Sequence, residues 1–188
     1  MDKREERLYQ ILQATITVLS KEGAEKLSMR KVAKVAGLSL SNLQYYYKDK
    51  DALLIAAVQH YFESCQEELT QELNVLKFES EPSITIYLQK LLDLLLMNGK
   101  SNDHLMMFQE IWALSSRNKE LQKAVEIYYS NYCVWMMELI SSFSKKPEVI
   151  LSLLVPYAEG YSIVSNVLPL DKEKVIEMLI QIILNLTE

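Results

Sequence analysis

Residues Ser28 to Lys50 read SMRKVAKVAGLSLSNLQYYYKDK, and the punctuation of this stretch divides it into two short helices joined by a tight turn. Ser28 is placed to cap the first helix by accepting backbone N–H bonds, and Val32, Val35 and Ala36 then fall on one face at helical spacing. The helix should stop at Gly37, the residue suited to leaving right-handed helical geometry. Ser39 is a second N-cap. It opens a helix from which Leu43 and Tyr47 point inward, while Leu40, Ser41, Asn42, Gln44, Tyr45 and Tyr46 crowd the remaining surface. Short polar and aromatic side chains on an exposed second helix suit a groove of base edges. Two helices and a Gly-containing turn are by themselves a generic corner, so the neighbouring residues decide the reading.

Upstream, Arg7 to Ala14 (RLYQILQA) begins an amphipathic helix whose Leu8, Leu12, Thr15 and Leu19 would roof the pair, and Lys21-Glu22-Gly23-Ala24 closes it. Downstream, Tyr46-Tyr47-Lys48-Asp49-Lys50-Asp51-Ala52-Leu53-Leu54 leads straight into another long helix. The run from Arg7 to Leu54 resembles the N-terminal domain of the tetracycline-repressor (TetR) family of transcription factors. The matching features are the helix ending in Glu22-Gly23, the cap-and-basic Ser28-Met29-Arg30-Lys31-Val32-Ala33, the Ala36-Gly37-Leu38-Ser39 turn, and aromatic-aromatic-Lys-x-Lys before Leu53-Leu54.

That resemblance implies a set of DNA-binding residues. Ser28 and Lys50 match phosphate-binding positions and Arg30 a position that can reach a base. Ser39, Leu40, Ser41, Asn42, Gln44, Tyr45 and Tyr46 occupy the recognition-helix surface, with Lys48 beside them. Gln44 departs from the family, which more often places Tyr after the inward Leu; as an amide it could bind adenine bidentately. Leu40 and Ser41 replace a commoner polar-then-small pair, a second departure on the same surface.

Charge is divided along the chain. Residues 1–50 hold 10 Lys+Arg against 6 Asp+Glu, and residues 51–188 hold the other 10 against 19. A basic head and an acidic body fit a head that meets phosphate. At 188 residues and 49% hydrophobic content the chain can bury a sizeable core. Its two cysteines, Cys65 and Cys133, are far apart and show neither metal nor disulfide spacing. A reducing, cytoplasmic setting follows, since the charged N-terminus lacks the apolar region of a secretory signal. Nor does any stretch reach the roughly 18 apolar residues of a membrane span.

Helical patterns run throughout, and 4 Gly and 4 Pro are too few for the turns of an all-β fold. The expected fold is all-α with about nine helices: a three-helix DNA-binding domain over residues 1–50 and a ligand-binding and dimerisation domain over residues 51–188. After the long helix from Asp51, Glu79 to Ser83 (ESEPS) reads as a helix-starting loop, and the next helix should end at Asn98-Gly99. Helices are expected over Asp103 to Ser115, Lys119 to Phe143, Glu148 to Val167 and Lys172 to Leu186.

The last two are apolar on more than one face, which calls for burial all round. A second copy of the chain would supply the missing cover, in line with the dimerisation through the last two long helices that the TetR resemblance implies. The expected interface residues are Leu153, Tyr157, Gly160, Tyr161, Val175, Leu179, Ile182 and Leu186. Pro156 should kink or divide its helix, and Gly160 could allow close approach of a partner helix.

Catalytic motifs are missing. There is no HExxH, P-loop, Gly-rich dinucleotide turn or Gly-x-Ser-x-Gly, and His60 and His104 have no triad or metal partner in register. No metal or cofactor is expected. The body does hold an excess of aromatic and Met side chains. Most such stripes are core, but the resemblance implies a small-molecule pocket, and an adaptable lining suits an apolar or aromatic effector. Phe62, Tyr87, His104, Phe108, Gln109, Glu110, Trp112, Tyr128, Tyr132 and Trp135 are the candidate ligand-binding residues. Glu110 could receive a cationic ligand, or pair with Arg117.

Overall fold

The computed structural model describes the backbone of residues 2–79, 83–96 and 102–187, and within these all side chains except those of 75–79, 102–105 and 187. Among the described residues there are nine α-helices and no strands. They are α1 (Lys3–Glu22), α2 (Met29–Val35), α3 (Leu40–Tyr46), α4 (Lys50–Glu79), α5 (Ile84–Leu95), α6 (Asn102–Ser115), α7 (Lys119–Ser141), α8 (Pro147–Val164) and α9 (Lys172–Thr187), with 3₁₀ turns at Ala24–Lys26 and Ser165–Val167.

Local chemistry accounts for most of the helix ends. Asp2 and Glu5 form a capping box on α1: the Asp2 carboxylate accepts from the Arg4 and Glu5 amides, and Glu5 accepts from the Asp2 amide at 2.8 Å. Gly23 ends α1 at φ +78°. At the end of α2, Leu38 N–H donates to Ala33 O at 2.8 Å and Gly37 N–H to Lys34 O at 3.3 Å, with Gly37 at φ +67°. This Schellman arrangement needs the left-handed conformation that glycine adopts without strain. Ser83 caps α5, while the remainder of the expected loops at 80–82 and 97–101 lies outside the described residues.

Packing separates two compact units, Met1–Cys65 with Ser101–Tyr129, and Gln66–Lys100 with Ser130–Glu188. In the first unit Ile11, Val18, Leu19, Val32 and Leu43 share a core with Leu54, Val58 and Phe62 of α4, Met107 and Ile111 of α6, and Leu121 and Val125 of α7. The second unit has its own core, in which Leu88, Leu91 and Leu92 of α5 join Met136, Ile140, Ile150, Leu154, Leu179 and Ile183.

Two expected faces are rotated. The buried stripe of α1 is Ile11, Ala14, Thr15, Val18 and Leu19, with Leu8 and Leu12 only half-buried. Thr15 satisfies its buried hydroxyl by donating to Ile11 O at 2.8 Å. In α2 the inward residues are Val32 and Ala33, and Val35 is 45% exposed. An arc centred between the first two leaves Val35 about 110° away around the helix. α8 runs without a break through Pro156, and the expected continuation to Val167 tightens into a 3₁₀ turn after Val164. No helix among the described residues is long and apolar enough to cross a membrane.

Candidate nucleic-acid interface

α2 and α3 are seven residues each, too short to hold themselves together, and their geometry is fixed by caps and by packing. Ser28 Oγ accepts from Lys31 N–H at 3.2 Å and Ser39 Oγ from Asn42 N–H at 3.2 Å, so both serines close helix N-termini. Leu43 is fully buried and anchors α3 to the core. Taking Leu43 as inward, the helical step of about 100° points Ser41 and Tyr45 almost directly away from the core, and puts Asn42 and Gln44 on opposite flanks. Tyr45 is 79% exposed, its ring edge-on to that of half-buried Tyr46 at 5.2 Å. Burial pushes the phenol of the next residue, Tyr47, above its ordinary pKa.

Of the predicted DNA-binding residues, Ser28, Arg30, Ser39, Ser41, Asn42, Gln44, Tyr45, Lys48 and Lys50 are exposed, and Leu40 and Tyr46 are half-buried. Lys31 is drawn away from this set by Glu22, at 2.8 Å.

Two contacts that the sequence does not announce hold the motif at both ends. Glu110 of α6 accepts from the Ala24 amide, just before α2, at 3.1 Å. Asn118, between α6 and α7, donates to the carboxylate of Asp51, just after α3, at 3.2 Å. The same Asn118 side chain caps α7 by accepting from Glu120 and Leu121 N–H. The half-buried Glu110 therefore serves the backbone of the head rather than standing free for a cation or Arg117. It also lines a groove of about 320 Å³ with Glu22, Gly23, Ala24, Glu25, Ala113, Leu114 and Arg117.

The other candidate ligand residues divide between the units. In the first, Phe62 is buried and stacks on Tyr128 at 3.9 Å, with Phe108 and Tyr129 around it. These rings pack on one another as core. Gln109 faces solvent and Trp112 is 46% exposed, against the expectation of a pocket lining, because they lie on the side of α6 away from Met107 and Ile111. Tyr87, Tyr132 and Trp135 belong to the second unit, where Tyr87 packs on Phe143 and Tyr132 on Trp135. The side chain of His104 lies outside the described residues.

The expected interface set is also partly corrected. Tyr161, Val175 and Leu179 are 4%, 2% and 1% exposed and belong to the second unit's own core, so they cannot be presented to a partner. Leu153, Tyr157 and Leu186 are half-buried, Ile182 is 38% exposed, and an added Cβ at exposed Gly160 would meet nothing within 4 Å. The outward apolar side chains outside the expected set include Ile163, Val164, Val167 and Leu170, close together in the chain.

A buried anchor, two serine caps and an outward row of polar and aromatic side chains on a second short helix define a helix-turn-helix protein of the DNA-binding class. Residues 11–57 match the family described as bacterial regulatory proteins, tetR family. An HTH-type transcriptional regulator in the dhlA 5′ region of Xanthobacter autotrophicus is 31% identical over 186 residues, covering 97% of this chain and 91% of that one. The chain belongs to the TetR family and is a DNA-binding transcriptional regulator, not an enzyme. Solved structures share the fold at low identity. A TetR transcription regulator from Haloarcula marismortui superposes with TM-score 0.72 at 20% identity, covering 97% of each chain. A regulator from Saccharomonospora viridis, solved in complex with choline, gives 0.73 at 15%, covering 95% of this chain and 96% of that one.

Proposed function

We propose that the chain is a homodimeric repressor that a small molecule releases from its operator, with residues 1–50 supplying the DNA contacts and the remainder binding the effector and a second copy. The observation that carries the dimer is the outward apolar set Ile163, Val164, Val167 and Leu170 on the unit that holds α8 and α9. A gathered apolar surface of this kind is the mark of an interface. Two copies are also what a helix-turn-helix protein needs to read a palindrome, since recognition helices about 34 Å apart enter successive major grooves.

Ser41 and Tyr45 enter the groove at the centre of α3, with Gln44 and Asn42 on its two flanks. Ser28 and Lys50 hold phosphates, Arg30 reaches for a base at the groove edge, and the regulator works in the cytoplasm. Effector binding in the body changes the separation of the two heads. The coupling is reciprocal, so operator must weaken effector binding by the factor with which effector weakens operator binding. That a protein of this fold was solved with choline supports a small-molecule site in the body.

Selected-site sequencing followed by native mass spectrometry on the chosen duplex tests the reading. A palindromic site carrying two protomers is the expected result, and one protomer on an unrepeated site would overturn the dimer. For the effector, compounds that raise the melting temperature should displace labelled operator in fluorescence anisotropy. If all stabilising compounds leave the operator bound, the release mechanism fails.

A further inference from the structure

The second unit holds a buried hydroxyl that no described residue satisfies. Tyr87, in the first turn of α5, is 8% exposed, and among the described residues its hydroxyl is the only buried side-chain oxygen or nitrogen without a hydrogen-bond partner. Its ring packs against Phe143, with centroids 5.8 Å apart at 58°. A phenylalanine would fill that place without stranding a hydroxyl, and natural cores rarely leave such a group unpaired.

Polar company in this core is sparse. Ser144, a small buried polar side chain of the unit, accepts from the Lys146 amide at 3.1 Å, and the buried Tyr161 brings a further hydroxyl. No charged side chain described in the unit is buried, so an ionic group taken into this core would meet no counter-charge there. Burial also pushes the Tyr87 phenol above its ordinary pKa, which keeps the proton on the oxygen and leaves it a donor.

We propose that the Tyr87 hydroxyl is the polar anchor of the effector site, donating its proton to an acceptor oxygen, such as a ketone, ester or ether, on an otherwise apolar and uncharged effector. This rests on the reading of the body as effector-binding. It narrows that reading in two ways: the effector class is neutral and lipophilic with an exposed oxygen, and one residue distinguishes it from a plain hydrocarbon.

Two dyes and one substitution test it. Prodan is an uncharged naphthalene with one ketone oxygen, and dimethylaminonaphthalene is the same ring system without the ketone. Their fluorescence titrations are compared on the wild-type protein and on Tyr87→Phe, and both ligand-free proteins are melted. The expected result is that the wild type binds both dyes and that Tyr87→Phe weakens Prodan about tenfold, the size of one lost buried hydrogen bond. The ketone-free dye should change by less than about twofold, and the ligand-free melting temperature should stay level or rise, because an unpaired hydroxyl has been removed. Equal effects on the two dyes overturn the anchor and leave the body reading standing. So does a fall of several degrees in the ligand-free melting temperature, which would mean that the hydroxyl is holding the core together. If the wild type binds neither dye, the body reading is lost and the anchor with it.

Discussion

In the unit that carries the helix-turn-helix, exposed apolar residues such as Tyr9, Val35, Trp112 and Ile127 are spread over four helices, while four of those in the other unit, Ile163, Val164, Val167 and Leu170, fall within eight positions. Scattered apolar residues are ordinary at any surface, and gathered ones are not. The interiors differ in the opposite sense. In the first unit Thr15, Glu110 and Asn118 all find partners within the chain, across as many as 86 positions, whereas in the second the Tyr87 hydroxyl has none among the described residues. One unit is closed and offers polar and aromatic groups outward. The other keeps an unpartnered hydroxyl inside and apolar side chains outside, and both ask for something the described residues do not supply.

The largest expected effect breaks this contrast at α9. Leu179→Asp should cost about 4 kcal/mol or more, since it buries an unpaired carboxylate. Circular dichroism should show the protein unfolded or strongly destabilised. Ile163→Asp, at a position 60% exposed, should leave the melting curve of the protomer intact and halve the mass in solution. A Leu179→Asp protein that stays folded while losing its partner would return Leu179 to the interface.

On the closed unit, Gln44→Ala should cost about 1–3 kcal/mol on the selected operator and leave random duplex nearly unchanged, because only a base contact is lost. Asn42→Ala should weaken both alike. Lys50→Ala should also weaken both and lower the salt slope by about one unit, the counterion of one phosphate. Base preferences unchanged in Gln44→Ala and relaxed in Asn42→Ala would exchange the two roles.

A smaller effect sharpens the account of how the head is held. Glu110→Ala strands the Ala24 amide and should cost about 1 kcal/mol. Hydrogen exchange should quicken in α2 and α3 while the second unit keeps its protection. Faster exchange spread evenly over the chain would show that Glu110 does not act on the head.

The smallest effect belongs to the surface of the second unit. Hydrogen bonds from the Lys174 side chain and amide hold the carboxyl of exposed Asp171 below its ordinary value of 3.8. A carboxyl lowered by folding stabilises above its unfolded pKa and loses that contribution as the pH falls through the folded value. Asp171→Asn should therefore narrow its small difference from wild type below pH 3.8, as read by melting temperature. A difference that widens on acidification would contradict the pairing.

What the sequence makes legible is what short-range chemistry decides. Ser28, Gly37 and Ser39 mark the ends of α2 and α3 because caps and positive φ act within a few residues, and Leu43 is inward because its neighbours are polar. The misplacement of Val35 comes from a helix too short for a period to fix its phase. In α8 and α9 apolar residues surround the axis, and no periodicity says which of them the chain covers itself; hence Tyr161, Val175 and Leu179 read as partner-facing in the sequence and are core in the fold. Glu110 and Asn118 act across 86 and 67 positions, where no local pattern reaches.

The interleaving of the two units along the chain bears on synthesis. The first unit draws on Met1–Cys65 and Ser101–Tyr129. On the ribosome, Ile11, Leu19 and Phe62 therefore emerge well before Met107, Ile111, Leu121 and Val125, which complete their core. At about 5–20 residues per second this exposes the nascent head for several seconds. A gene fragment ending near residue 50 or 65 would make that exposure permanent, so the reading head is not a portable cassette. Its solubility is inherited from sequence translated after it.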